Sequence, residues 1–219
     1  MRVRVGSFNV RSFRGGVHEA AASLGEVVPS IVLLQECGPQ LRLERFARAV
    51  SGAAVASRQG FGRMRNAIVF GSAWRMVGVP EVHEFQRWGR AIPRGLVAVR
   101  LRAKQAELTA VSAHLGLAPD ERERHARELV EVLAGLRAPL VLGIDVNEGP
   151  DASASRIVAA RMVDAFGRAG RGSGTTFPAS APTARIDVVF VRGGAEVADA
   201  WVAPAGGSDH LAVVADLEV

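Results

Sequence analysis

The chain has 219 residues, 48% hydrophobic and 22% charged, a balance that excludes a disordered or collagen-like polymer and allows a core that needs no disulfide. Its 27 basic and 22 acidic residues give +5 at pH 7, but every base except Lys104 is arginine and tyrosine is absent. That skew fits a GC-rich coding bias, so charge alone is weak support for a polyanionic partner, and the arginines form no run of five.

Several further classes fall away. No apolar run nears the roughly 18 residues of a membrane span, so stable membrane insertion is not expected. The start, Met1 to Ser7, lacks the apolar stretch of a signal peptide. Cys37 is the only cysteine, so no internal disulfide forms and a reducing cytoplasm is the expected compartment.

In chain order, Val3–Val10 reads as a strand with Val3, Val5 and Ser7 on one side. Val17–Val28 reads as a helix ending before Pro29. Ile31–Glu36 is a short apolar run closing on polar residues, a buried strand feeding a loop. Leu41–Val50 has helical periodicity, and Asn66–Phe70, Leu96–Leu101 and Glu107–His114 read as strands. Asp120–Leu136 is a helix with Pro119 at its start and an apolar stripe of Leu129, Val132, Leu133 and Leu136. Leu140–Asp145 is another buried strand and Ser153–Met162 a helix. Ile186–Val191, Glu196–Val202 and Leu211–Val219 close the chain as strands. Gln59–Arg65 and Ala169–Gly174 read as Gly- and Arg-rich loops. Roughly nine strands and four helices, several strands adjacent without a helix between them, suit a pair of mixed sheets in one domain spanning residues 1–219.

Polar residues fall in a pattern. Asn9, Glu36, His114, Asp145, Asn147, Asp187, Asp209 and His210 all lie at or just beyond the end of an apolar strand, where rigid elements meet loops open to ligand. Hard oxygen donors such as Glu36 and Asp209 suit Mg²⁺ or Mn²⁺. His210, oriented by Asp187 or Asp209, can move a proton or stabilise an oxyanion. Asn9 and Asn147 can donate to phosphate oxygens or position a water. This set describes phosphate-ester hydrolysis better than acyl transfer.

The order of these segments resembles the metal-dependent endonuclease/exonuclease/phosphatase superfamily, with its deoxyribonuclease-I-like fold. The resemblance rests on Ser7-Phe8-Asn9-Val10-Arg11, Val32-Leu33-Leu34-Gln35-Glu36, Arg65-Asn66-Ala67-Ile68-Val69, Arg94-Gly95-Leu96-Val97-Ala98-Val99, Ser112-Ala113-His114-Leu115, Asp145-Val146-Asn147, Arg185-Ile186-Asp187-Val188-Val189-Phe190 and Ser208-Asp209-His210-Leu211. It implies an α/β (α+β) four-layer sandwich of two mixed β-sheets flanked by helices. It also implies a Mg²⁺-dependent phosphoesterase (Mn²⁺ the alternative ion) acting through in-line water attack on a small-molecule or nucleic-acid phosphate ester. By the resemblance Glu36 binds the metal with Asn9 beside it, and Asp209 is a metal ligand or a neighbour of one. Asp145 orients or deprotonates water, Asn147 binds phosphate, Asp187 holds His210, and His114 takes the position that is histidine in phosphatase-like members. Arg94 and Asn66 are the substrate-binding candidates.

The departures are informative. Ile144 stands where a glycine usually precedes the aspartate, with Gly143 one place earlier. Arg11 stands where abasic-site endonucleases often carry an aspartate, and no aspartate follows His114. These lean away from abasic-site repair and towards a phosphatase or phosphodiesterase, acting as a monomer. A nuclease gripping nucleic acid through the Arg58–Arg65 and Arg87–Arg94 loops is the alternative. A binding module without turnover is disfavoured because every expected ligand type is retained. His18, His83 and His125 read as ordinary surface or core residues and Cys37 as a small buried hydrophobe. The Glu121–Arg124 run reads as a solvated helix face with an i,i+4 pair of Glu123 and Arg127. Trp88, between arginines, is a candidate to stack on a base or cover a substrate.

Overall fold

The structure, a computed structural model, describes residues 1–25, 29–57, 66–87 and 89–219. The expected Gln59–Arg65 loop, Arg58, Trp88 and the last residues of the expected first helix lie outside the described residues. Among the described residues the chain forms twelve strands and five α-helices: β1 Arg2–Asn9, α1 Val17–Ser23, β2 Ile31–Gln35, α2 Gln40–Ala49, β3 Gly52–Ala56, β4 Ala67–Gly71, β5 Arg75–Glu84, β6 Gly95–Arg102, β7 Glu107–His114, α3 Pro119–Gly135, β8 Leu140–Asp145, α4 Ser153–Ala159, β9 Val163–Asp164, α5 Ala165–Ala169, β10 Asp187–Arg192, β11 Glu196–Val202 and β12 Val213–Glu218.

The strands make two six-stranded mixed sheets. One runs β11-β12-β1-β2-β4-β3 and the other β5-β6-β7-β8-β10-β9. Strand pleating decides what lies where, because alternate side chains point to opposite faces. Val3 and Val5 of β1, Ile31 and Leu33 of β2, Val141 of β8 and Val189 and Val191 of β10 pack into one cluster between the sheets. The intervening Phe8, Val32 and Leu34 turn outward onto Ala20, Leu43 and Phe46 of α1 and α2. Val111, Ala113, Leu142 and Phe190 turn outward onto Ala126, Leu129, Leu133 and Val158 of α3 and α4. Both faces of the central strands are therefore apolar, which is why they read as continuous hydrophobic runs. The four layers match the sandwich that the sequence implies.

Three strands and one helix escape the sequence pattern, one of them β9, two residues paired with β10. β3 is alanine-rich, and a weak strand former is held there by pairing with β4 from Gly52↔Gly71 to Ala56↔Ala67. β5 is an edge strand with a register shift between Val77 and Glu81, and Gly78 and Pro80 break its alternation as edge strands allow. α5 is only Ala165–Ala169, capped by Asp164, whose side chain accepts from the Gly167 amide. A further correction concerns α3. Arg127 pairs with Glu123 as expected, but Glu121 is buried. Its carboxylate accepts from the Leu117 amide at 3.1 Å, and Arg122 bonds Glu148 at 2.8 Å. The start of this face is thus folded onto the loop after β7 instead of being solvated.

One buried carboxylate ties β12 to β1. Asp216, opposite Arg4 in register, accepts from Arg4 Nε at 2.6 Å, Arg4 Nη2 at 2.8 Å and Arg2 Nη2 at 2.7 Å. The hydrogen bond from Arg4 holds the Asp216 carboxyl below its ordinary pKa against the opposing effect of burial. Its stabilisation is therefore full above the unfolded carboxylate value, about 3.9, and is lost as pH falls through the lower folded value. Asp216→Asn is expected to cost about 1–3 kcal/mol in urea unfolding at pH 7, with the gap to the unsubstituted protein closing as the pH is lowered below 4.

Candidate active site

The inner-face parity that buries Val3 and Val5 carries β1 on through Ser7 to Asn9. The same alternation runs Ile31-Leu33-Gln35 on β2, Ala110-Ser112-His114 on β7 and Val141-Gly143-Asp145 on β8. It runs Val191-Val189-Asp187 in reverse on β10, which is antiparallel to β8. Each strand thus ends its core-facing row on a polar side chain, all at one end of the sandwich. His114, Asp145 and Asp187 lie side by side in register across β7, β8 and β10, and Asn9 opposes Gln35 across β1 and β2.

These side chains meet. Asn9 Nδ2 donates to Asp145 Oδ2 at 2.8 Å, and the Asn147 amide donates to Asp145 Oδ1 at 3.0 Å. His210 Nδ1 lies 2.9 Å from Asp187 Oδ2, with the Phe177 ring centred 4.9 Å from the imidazole. His114 Nε2 lies 3.3 Å from Asp145 Oδ2 and 3.0 Å from Asn147 Nδ2. Its Nδ1 faces the buried Arg94, whose Nη1 is 2.8 Å away. Glu36 Oε1 stands 3.8 Å from that guanidinium and 3.9 Å from His114 Nδ1. Asn66 is buried, and its amide donates to the Gly95 carbonyl at 2.5 Å, next to Arg94.

Glu36 and Asn147, each just past a strand end, have φ of +52° and +61°. Asparagine tolerates this left-handed region, but a glutamate there carries strain of about 1–3 kcal/mol. Both bends turn a side chain back over the strand ends.

Electrostatics separate the titrating groups. Burial pushes the Asp145 carboxyl well above the ordinary carboxylate range, with the Asp187 charge adding to it; His210 and the Asn9 and Asn147 donors work against the shift. For His210, burial opposes the charged ring, but Asp187, Asp145 and Asp209 outweigh it and push the imidazole up to about 9. For His114, burial and the positive charges of Arg94 and His210 depress the pKa, so this ring is neutral. With Arg94 donating to Nδ1, the His114 proton sits on Nε2.

Among the described residues, the one tight group of three metal-capable side chains is Asp145, Asp187 and His210, with ligand atoms within 4.8 Å of one another. The metal candidates read from the sequence stand around this group. Glu36 faces Arg94 and His114, Asp209 Oδ2 pairs with Arg11 at 3.1 Å, and Asn9 Oδ1 accepts from the Arg11 amide at 3.0 Å. Asp209 Oδ1 and Asp187 Oδ1 are buried without a hydrogen-bond partner among the described residues. Partnerless carboxylate oxygens in a cluster dominated by carboxylates fit a hard divalent cation.

Sequence reasoning missed the supports beneath the site. Gln35 Nε2 reaches Ser112 Oγ and the Gly143 carbonyl at 3.2 Å each, bridging β2 of one sheet to β7 and β8 of the other. Ser112 Oγ donates across the same seam to the Leu34 carbonyl at 2.6 Å. Thr176 Oγ1 accepts from the Asp187 amide at 3.3 Å, and Ser208 Oγ donates to the Asn9 carbonyl at 2.7 Å. The available signal was a glutamine at a core-facing position of an otherwise apolar strand.

A family model described as "Endonuclease/Exonuclease/phosphatase family" matches residues 6–210, the span that carries every one of these side chains. The chain belongs to this family. It is accordingly a metal-dependent hydrolase of phosphoric ester bonds. Solved structures share the fold along its whole length. An endonuclease/exonuclease/phosphatase from Bacteroides vulgatus has a TM-score of 0.87 at 17% identity, covering 100% of this chain and 99% of that one. A mannosyl-6-phosphatase from Bacteroides thetaiotaomicron has 0.84 at 19%, covering 99% and 100%. D. rerio TDP2 complexed with single strand DNA product has 0.80 at 17%, covering 100% and 99%. No curated protein matches the sequence significantly.

Gly143 sits where the family resemblance expects its glycine one place later, and here it sets the sheet spacing. A Cβ built on it would lie 2.6 Å from Leu33 Cβ and 2.8 Å from Ser7 Oγ. Gly143→Ala is expected to cost about 1–3 kcal/mol in thermal or urea unfolding. It is also expected to lower activity, because the displaced contact lies two residues from Asp145. Unchanged unfolding and kinetics would show that the seam has slack.

Proposed function

We propose that this chain is a Mg²⁺-dependent phosphoesterase of the phosphatase or phosphodiesterase type, in which water attacks phosphorus in line. The reading rests on one observation: a carboxylate of raised pKa (Asp145) and a carboxylate-held imidazolium (Asp187–His210) share one side-chain cluster with neutral amide donors and a buried arginine. Asp145, poised near neutrality and steadied by Asn9 and Asn147, orients the water and takes its proton. His210, charged near pH 7, and Asn147 donate to phosphoryl oxygens as negative charge develops there. Arg94 and the neutral Nε2–H of His114 bind the ground-state phosphate, and Asn66 acts through the strand that carries Arg94. Glu36, with Asn9 and Asp209 beside it, would hold the metal. When bound, the ion supplies Lewis-acid charge to the phosphate and leaving-group oxygens; Mn²⁺ suits the same oxygen set.

We read residues 1–219 as one domain working as a monomer, and the lone buried Cys37 supports a cytoplasmic setting. The +5 charge favours a second reading, a nuclease of the same family. Steeply salt-dependent DNA binding would support it over the first.

A substrate panel with and without Mg²⁺, covering abasic and plasmid DNA, RNA, phosphoinositides, sphingomyelin and sugar phosphates, tests the reading. The expected result is metal-dependent hydrolysis of a small phosphate ester, with no strong preference for abasic over intact DNA. Glu36→Gln is expected to lower activity by orders of magnitude and to weaken the Mg²⁺ dependence while the thermal transition is retained. Unchanged kinetics would reject the metal assignment.

His210→Ala is expected to lose about 10²–10³ in turnover, with less change in KM. Asp187→Asn should also lose turnover, and the double variant should lose far less than the product of the two because the pair acts as a unit. Losses that multiply would show that the two residues act separately.

A further inference from the structure

A cavity of about 330 Å³ opens beside the catalytic cluster, between the loop after β1, the loop before β10 and the loop before β12. Its walls include Arg11, Gly15, Ala179, Ser180, Ser208 and Asp209. It borders the site directly. Asp209 precedes His210, Ser208 Oγ donates to the Asn9 carbonyl, and Phe177, against the His210 ring, precedes Pro178 of the cavity wall.

The walls are pinned. The Arg11 amide donates to Asn9 Oδ1, the Ser12 amide to the Glu36 carbonyl at 2.6 Å, and the Ala179 amide to the Asp209 carbonyl at 2.7 Å. Arg11, Ser12 and Phe13 hold φ of +43°, +55° and +54° in succession. Three left-handed residues in a row carry strain that only surrounding contacts can maintain. That strained turn presents the Arg11 side chain, half exposed and 3.1 Å from Asp209, to the cavity.

The chemistry of the lining selects its occupant. Arg11 and Asp209 form a neutral pair, so a second phosphate would have to displace the carboxylate and then face it. No aromatic side chain lines the cavity among the described residues, so a base finds no stacking partner there. What the lining offers is a guanidinium next to a carboxylate, with the Ser180 hydroxyl nearby. That alternation of donor and acceptor matches adjacent hydroxyl groups. The volume sits at the low end of small-ligand pockets, roughly 300–1,000 Å³.

We propose that this cavity binds the alcohol portion of the substrate as a compact polyhydroxyl group, a monosaccharide or cyclic polyol, and that Arg11 is its specificity-determining residue. The proposal rests on the phosphoesterase reading for the phosphate that the polyol carries.

The test compares kcat/KM for glucose 6-phosphate, n-butyl phosphate and thymidine 5′-monophosphate, with calorimetric titration of glucose 6-phosphate in EDTA alongside. The unsubstituted protein is expected to prefer glucose 6-phosphate over n-butyl phosphate by at least about tenfold, the scale of one or two hydrogen bonds to charged groups. Arg11→Met, and independently Ser180→Trp, which fills the cavity from an exposed position, should each cut that ratio by a similar factor and weaken binding in EDTA. A ratio near one, a ratio unmoved by both variants, or a stronger preference for thymidine 5′-monophosphate would overturn the proposal. Sugar binding that both variants abolish, without turnover of any ester under any metal, would retire the phosphoesterase reading and leave the cavity assignment standing. Turnover of n-butyl phosphate without sugar binding would do the reverse.

Discussion

Everything at the candidate site depends on the seam where the two sheets meet face to face. Strand side chains alternate, so one parity on each central strand is committed to that seam along its length. Apolar residues fill it through the middle. At one end the same parity runs out into Asn9, Gln35, His114, Asp145 and Asp187, and the core becomes a polar cluster without a change of backbone direction. Register then does the work of positioning: His114, Asp145 and Asp187 are neighbours because β7, β8 and β10 are hydrogen-bonded there. Gln35 and Ser112 close the seam beneath them with bonds between the sheets, which keeps two layers that could slide from doing so.

The polar end is electrostatically divided. Two carboxylates lie side by side in register, but only Asp187 is given a charged imidazole; Asp145 receives amide donors and the neutral ring of His114. Burial raises the one that lacks a cationic partner, and the partnered one raises its histidine. Environments that drive neighbouring groups apart in this way supply an acid and a base at one pH. His114, similarly placed at a strand end, is pushed the other way by Arg94 and stays a neutral donor. Two histidines thus differ in charge because one faces a carboxylate and the other a guanidinium.

Much of this was legible in the amino-acid sequence. The central strands announced themselves because they are buried on both faces, and the end-of-strand polar residues stood out against them. Asn9, Glu36, His114, Asp145, Asn147, Asp187, Asp209 and His210 lie at one end, as that pattern implied, with Arg94 beside them. The edge strands β3 and β5 did not announce themselves. Their residues answer to a neighbour's hydrogen bonds and to solvent, and neither leaves a hydrophobic period. Glu121 was misread because charge patterning along a helix cannot reveal that the loop after β7 folds back to use its carboxylate. The Arg11–Asp209 pair was also out of reach, since its partners are almost two hundred residues apart and meet only through β12 pairing with β1.

The left-handed turn at Arg11–Phe13 separates two kinds of tolerance to change. Asn9, His114, Asp145 and Asp187 are fixed by strand register, where a shift of one residue would turn each of them into a helix-facing layer. The side chains of Arg11 and Ser180 hang on loops that meet at one cavity. Divergence within this architecture is therefore channelled: new alcohol groups can be admitted by rewriting a few loop positions while the hydrolytic apparatus stays untouched. A laboratory lineage selected for altered substrate range would be expected to collect its substitutions around that cavity and to leave the sheet ends as they are.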